Sequence, residues 1–158
     1  MTSRSDVDHS TELNLRPMKP HINVITLSVG DLDKSLAFYR DGMGLKTQGI
    51  MGKEWDNGAV VFFHMDDDLI LALYPRASLV KDANVPVSKP SALEFTIGQI
   101  VDSKNEVDAL LERARCAGAK ITEPAHERPW GIYSGYFQDP DGHLWEIIWN
   151  ANKAAGMI

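Results

Sequence analysis

Tyr133-Ser134-Gly135-Tyr136-Phe137-Gln138-Asp139-Pro140-Asp141-Gly142-His143-Leu144-Trp145-Glu146-Ile147-Ile148-Trp149 is two strand-like runs separated by a tight Asp-Pro-Asp-Gly turn. Proline presets φ in the turn, the aspartates can bond their own backbone, and Gly142 accepts a positive φ, so the stretch predicts a β-hairpin. Glu146 is the exception within its strand. Leu-Trp-Glu-Ile-Ile-Trp is an almost unbroken apolar run, of the kind buried on both faces, and an unpaired carboxylate there is costly or takes up a proton. Such a residue needs a partner or a purpose.

Upstream of the hairpin, Leu93 to Val101 reads as a strand, and Ser103 with Glu106 forms a capping box. Val107, Leu110, Leu111 and Ala114 then give a helical stripe that Gly118 ends, and a short strand follows at about 120–122. The first half has the same order. Ile22 to Val29 alternates as a strand, Asp31 caps a helix with the stripe Leu32, Leu36, Tyr39 and Met43, and Gly44 sits at its C-terminal left-handed position. Strands at about 46–51, Ala59–His64 and Leu69–Tyr74 follow, with Asp66-Asp67-Asp68 as a solvated hairpin tip.

The internal repeat predicts an α+β fold of two βαβββ modules forming a curved mixed sheet with a cavity, the copies packing edge to edge. Residues 1–19 read as a flexible N-terminal arm, 20–74 as the first module, 75–91 as a proline-containing linker, 92–150 as the second module and 151–158 as a tail. A chain of 158 residues accommodates this as one well-buried unit. The formal net charge of -6, without a basic block, argues against nucleic acid and anionic membrane as partners. No apolar run approaches a membrane span, no signal-peptide pattern opens the chain, and the single Cys116 fits a reducing, cytoplasmic interior.

With Thr26-Leu-Ser-Val-Gly-Asp-Leu-Asp-Lys-Ser-Leu-Ala-Phe-Tyr-Arg40 near its start and Asp139-Pro-Asp-Gly-His-Leu-Trp-Glu146 near its end, the chain resembles the vicinal oxygen chelate superfamily. That group includes glyoxalase I, fosfomycin-modifying enzymes, extradiol dioxygenases and bleomycin-sequestering proteins. Its enzymes hold one divalent ion with a His or Glu from each of four strands. The resemblance carries those positions onto Val24, Leu71 (or Leu73 on the same face), Gln99 and Glu146. Only Glu146 is a charged ligand type, and one carboxylate and an amide beside Val and Leu cannot hold a divalent ion tightly. By alternation His21 and His143 face away from the expected cavity, while His64 and His126 could approach it.

The resemblance therefore implies a homodimer that accepts a small organic molecule with no cofactor and no tightly held metal. Glu146 is the expected general base in a pocket formed with Val24, Leu71 and Gln99, unless it is a leftover carboxylate bonded to Gln99 or a backbone amide. In the segment Glu127 to Tyr133, Trp130 and Tyr133 are candidate stacking groups and Arg128 a candidate anchor for an anionic substrate; alternatively Trp130 plugs the barrel end. Two rival functions are carried alongside. One is a divalent-metal lyase or dioxygenase, and the other is sequestration of an antibiotic-like compound that does not depend on Glu146.

Overall fold

A computed structural model of the chain describes residues 18–92 and 95–152. Most of the expected arm, the start of the Leu93 strand and the last residues of the tail lie outside the described residues. The first module runs β1 (Val24–Val29), α1 (Leu32–Leu36), β2 (Thr47–Met51), β3 (Val60–His64) and β4 (Ile70–Pro75). Directly after α1 the helix widens into a π-helical turn, Ala37–Gly42. A further helix, α2 (Arg76–Ala83), precedes the second module: β5 (Ile97–Ile100), α3 (Lys104–Cys116), β6 (Lys120–Arg128), β7 (Ile132–Gln138) and β8 (Leu144–Asn150).

The repeat is visible in the topology. The sheet orders are β1-β4-β3-β2 and β5-β8-β7-β6, each with one parallel pair, β1 with β4 and β5 with β8, followed by antiparallel neighbours. Helix starts are those the sequence marks. Asp31 accepts a hydrogen bond from the Lys34 N–H, Ser103 accepts one from the Glu106 N–H, and Glu106 returns a bond to the Asp102 N–H. At the helix ends Gly44 and Gly118 take φ of 82° and 103°, conformations that an L side chain resists.

Two local expectations change. The stretch after Pro75 is not all linker, because α2 occupies Arg76–Ala83; it buries no residue, so it carries no apolar stripe to reveal it. It is tied down instead by Asp82, which accepts from the Tyr74 hydroxyl and from the Asn57 amide. The strand expected at 120–122 extends to Arg128 and takes in His126. Pro124 and two register shifts interrupt its pairing with β7, which is tolerable at a sheet edge.

The modules also meet differently from the edge-to-edge expectation, since β1–β4 and β5–β8 stay in separate sheets. One inner face of each sheet, with the helices, builds a single core: Leu27, Val61, Phe63 and Leu73 from the first sheet, Phe137, Trp145 and Ile147 from the second, and Phe38, Tyr39, Val107 and Leu111 from the helical segments. Aromatic area decides this arrangement. Tyr39 lies 6.0 Å from Trp145 and 5.9 Å from Phe63, centroid to centroid, so one ring from the helical turn bridges the two sheets.

The Asp-Pro-Asp-Gly turn fastens the same junction. Asp139 Oδ2 accepts from the Tyr39 hydroxyl at 2.6 Å, while its Oδ1 accepts the N–H groups of Asp141 and His143. Asp141 accepts from the Gly30 N–H and, at 2.6 Å, from the Ser35 hydroxyl. Each carboxylate of the turn is thus spent on closing the turn or on gripping the first module. No helix among the described residues is long and apolar enough to cross a membrane.

Candidate functional site

Register places the four strand positions. Val24 pairs with Ile70, whereas Leu71 pairs with Ile25, so Val24 and Leu71 project from opposite faces of the first sheet. Leu71 and Leu73 are core residues, 2% and 0% exposed, while Val24 is 47% exposed on the outer face. In the second sheet Glu146 pairs with Gly98 and Gln99 with Ile147, so Gln99 shares the inner face with the core and Glu146 projects outward. The expected pocket of Val24, Leu71, Gln99 and Glu146 is therefore not assembled within one chain. The strand count back from Gly118 misplaces β5 by one residue, and a one-residue slip inverts every side chain.

Glu146 has real neighbours on its own face. It pairs across β7 with Tyr136, and Ser134 lies on the same side. Ser134 is fully buried, and its hydroxyl donates to Glu146 Oε1 at 2.7 Å while accepting from Arg128 Nε at 2.7 Å. Tyr136 stands beside Glu146 in register, and its ring carries the Arg128 guanidinium 5.1 Å from the centroid. Desolvation, then the bond to the Glu146 carboxylate and its charge, raise the Tyr136 phenol above its ordinary pKa, so it stays a proton donor at neutral pH. Of these groups Arg128 and Tyr136 line an open depression, with Thr96, Thr122, Glu123, His126 and Leu144.

Of the other candidates, Tyr133 lies on the inner side, opposite Trp149, where its hydroxyl donates to Asp108 and both rings receive the Lys104 ammonium. It cannot stack on a ligand beside Glu146. Trp130 is 75% exposed and so is not a plug; it occupies the turn Pro129–Gly131 with φ of 71°, unusual for a bulky residue. Ser134 and Tyr136 are the site residues that sequence reasoning missed. The signal was present: with Gln138 facing Leu144 across the turn, counting back two places sets Tyr136 against Glu146.

Beside Glu146, β5 offers Gly98 with no side chain and β7 offers the Tyr136 phenol, while the acid and imidazole of this face come from β6, where Glu123 and His126 stand in register with Tyr136 and Ser134 and lie 3.3 Å from each other. Among the described residues one acidic and imidazole group is compact enough to be a candidate, Asp139, Asp141 and His143. Its oxygens already accept from Tyr39, Ser35, Gly30 and the turn, and His143 Nδ1 lies 2.7 Å from Asp139 Oδ2. That chemistry is a clasp between modules.

A duplicated βαβββ chain with a polar cluster on an open sheet face defines a small-molecule-binding α+β protein. Over residues 21–147 the sequence matches the Glyoxalase/Bleomycin resistance protein/Dioxygenase superfamily, and the chain belongs to that family. Among solved structures it is similar to a glyoxalase-related enzyme from Fulvimarina pelagi, with 34% identity, a TM-score of 0.71, and coverage of 84% of this chain and 89% of that one. A probable lactoylglutathione lyase from Vibrio parahaemolyticus is 26% identical over 136 residues, 83% of this chain and 91% of its own length. The lactoylglutathione lyase of Arabidopsis thaliana is also 26% identical, over 78% of this chain, but this chain spans only 42% of that protein.

Proposed function

We propose that the protein binds and transforms a small organic molecule on the outer face of the second sheet, with Glu146 as the acid/base and no tightly held metal. The observation that carries this reading is the Glu146 carboxylate, held by the Ser134 hydroxyl beside Tyr136 on a face next to an open depression among the described residues. In the reaction it supports, Glu146 takes a proton from the substrate, and the electron pair left behind is stabilised by the nearby Arg128 charge and a phenol hydrogen bond. Arg128 is restrained before the ligand arrives, because Ser134 holds its Nε and Tyr136 its face.

A second copy completes the site in this reading. The outer face of the first sheet leaves Val24 47% exposed, with Ile22 beside it at 69%, and apolar surface of that kind is covered in a homodimer. The acidic balance and the exposed, unbridged Cys116 support a cytoplasmic protein without nucleic-acid partners. The names of the relatives favour one competitor, a lactoylglutathione lyase, which here would be the divalent-metal lyase that the family resemblance implies.

Elemental analysis of protein purified without chelator, repeated on Glu146→Gln, separates the readings. Sub-stoichiometric metal in both proteins, with lactoylglutathione lyase activity absent even after divalent metal is added, supports the proposal. Near-stoichiometric metal that is lost in Glu146→Gln overturns it in favour of the metal lyase.

A further inference from the structure

A second cavity lies on the other side of the second sheet, in the seam between the modules, and plays no part in the reading above. Its walls are Tyr39, Met43 and Leu45 from the first module's helical turn and the loop after it, and Leu110, Phe137 and Trp145 from the second module. Its volume is about 110 Å³. An apolar cavity of about 150 Å³ is known to hold benzene; this space is smaller and opens beside Gln99, so it admits at most one ring with its substituent at the mouth.

The polar groups of the wall are already engaged. Tyr39 donates its hydroxyl proton to Asp139 and accepts from Trp145 Nε1 at 3.0 Å. The exception is Gln99, whose side-chain amide lines the cavity and has no hydrogen-bond partner among the described residues. Gln99 also borders a wider trough along α3, past Val101 and Ala109 to Glu112 and Cys116, so it stands where the seam opens to the surface. Glu106 and Glu112 flank that trough, and its Arg113 is held by the Gly42 carbonyl through Nε at 2.8 Å. A charged ligand would find no counter-charge inside.

We propose that this seam is a binding site for an uncharged single-ring aromatic bearing one hydrogen-bonding substituent, the phenol type, with Gln99 receiving the substituent. The ring lies among the side chains of Tyr39, Phe137 and Trp145 and the thioethers of Met43 and Met65, contacts that favour aromatic over aliphatic occupants. The hydroxyl meets the Gln99 amide at the mouth, which can donate or accept.

The test titrates phenol and toluene into the full-length protein, followed by ligand-observed NMR. Phenol binds more tightly than toluene, Gln99→Leu weakens phenol about fivefold, the worth of one neutral hydrogen bond, and toluene is unaffected. Filling the seam with Leu110→Phe, or with Met65→Phe if the first variant folds poorly, abolishes binding of both. Phenol binding that survives either filling variant in folded protein, or no binding to the wild-type protein, overturns the proposal. Loss of phenol binding in Glu146→Gln with full binding in the filled variant also overturns it, by moving the ligand to the outer face. None of these outcomes bears on metal content, which tests the outer-face reading separately.

Discussion

The Tyr39 hydroxyl donates to Asp139 Oδ2 at 2.6 Å in a buried contact between residues 100 positions apart, joining the first module's helical turn to the second module's hairpin. A hydrogen bond to a charged acceptor contributes roughly 1.5–3 kcal/mol, and removing the donor leaves a buried carboxylate short of a partner. Tyr39→Phe keeps the ring contacts with Phe63 and Trp145 and removes only the hydroxyl. We expect a loss of about 2 kcal/mol in urea unfolding, with an unchanged m-value.

The same contact sets a pH dependence. Burial pushes the Asp139 carboxyl up, but hydrogen bonds from His143 and Tyr39, together with the His143 charge and N–H, outweigh it and hold the carboxyl below its ordinary value. With the folded pKa below the unfolded one, the unfolded chain takes up the proton first. The stabilisation is present above the ordinary carboxylate range and is lost as pH falls through the folded value. Urea midpoints measured from neutral pH downward fall accordingly, and Asp139→Asn flattens that fall.

On the alkaline side the sign reverses. Burial first, then the Asp139 charge and hydrogen bond, raise the Tyr39 phenol well above its usual value, so its contribution is complete below about pH 10 and is lost as pH rises through the folded pKa. Alkaline unfolding followed by tyrosinate absorbance shows Tyr39 ionising together with loss of structure, whereas Tyr39→Phe lacks that step.

Tyr136 reports on the candidate site. Its phenol is raised by desolvation and by Glu146, with Arg128 opposing. Ultraviolet titration of Glu146→Gln, using Tyr136→Phe to assign the signal, should show its ionisation moving to lower pH. Ionisation that is unmoved by the loss of the carboxylate would separate the two groups and remove the proposed acid/base pair.

Gly135 tests the packing of α3 on the second sheet. A Cβ there would lie 2.5 Å from Leu111 Cδ1 and 2.8 Å from the Ala125 backbone nitrogen, and the backbone cannot swing aside as a side-chain end can. Gly135→Ala is expected to destabilise by about 3 kcal/mol, read as a lower melting temperature, as overpacked cores do.

The sequence was informative where periodicity and turn chemistry were local. Ser103 and Asp31 mark helix starts, Gly44 and Gly118 mark ends, and Asp139-Pro140-Asp141-Gly142 fixes the last hairpin, so both modules could be traced. What was not legible depends on pairing between distant strands. The sequence pattern puts Leu71 and Gln99 on the Glu146 face, yet the parallel registers of β1 with β4 and β5 with β8 turn both inward, and nothing local to either residue records that register. The helix α2 was silent because it buries nothing. The choice of helix-side docking over edge pairing rests on Tyr39 reaching Trp145 and Asp139, contacts between opposite ends of the chain.

That last contact has a consequence for biosynthesis. The partners of Tyr39 and Ser35 in the Asp139–Asp141 turn are among the last residues of the fold to be translated, so the first module must wait with its aromatic face unmatched while the second is made. During that interval the nascent polypeptide presents Phe38 and Tyr39 to the cellular milieu, where a holding chaperone would find them. Closing this junction requires a contact spanning 100 positions, so its loop-closure entropy is large.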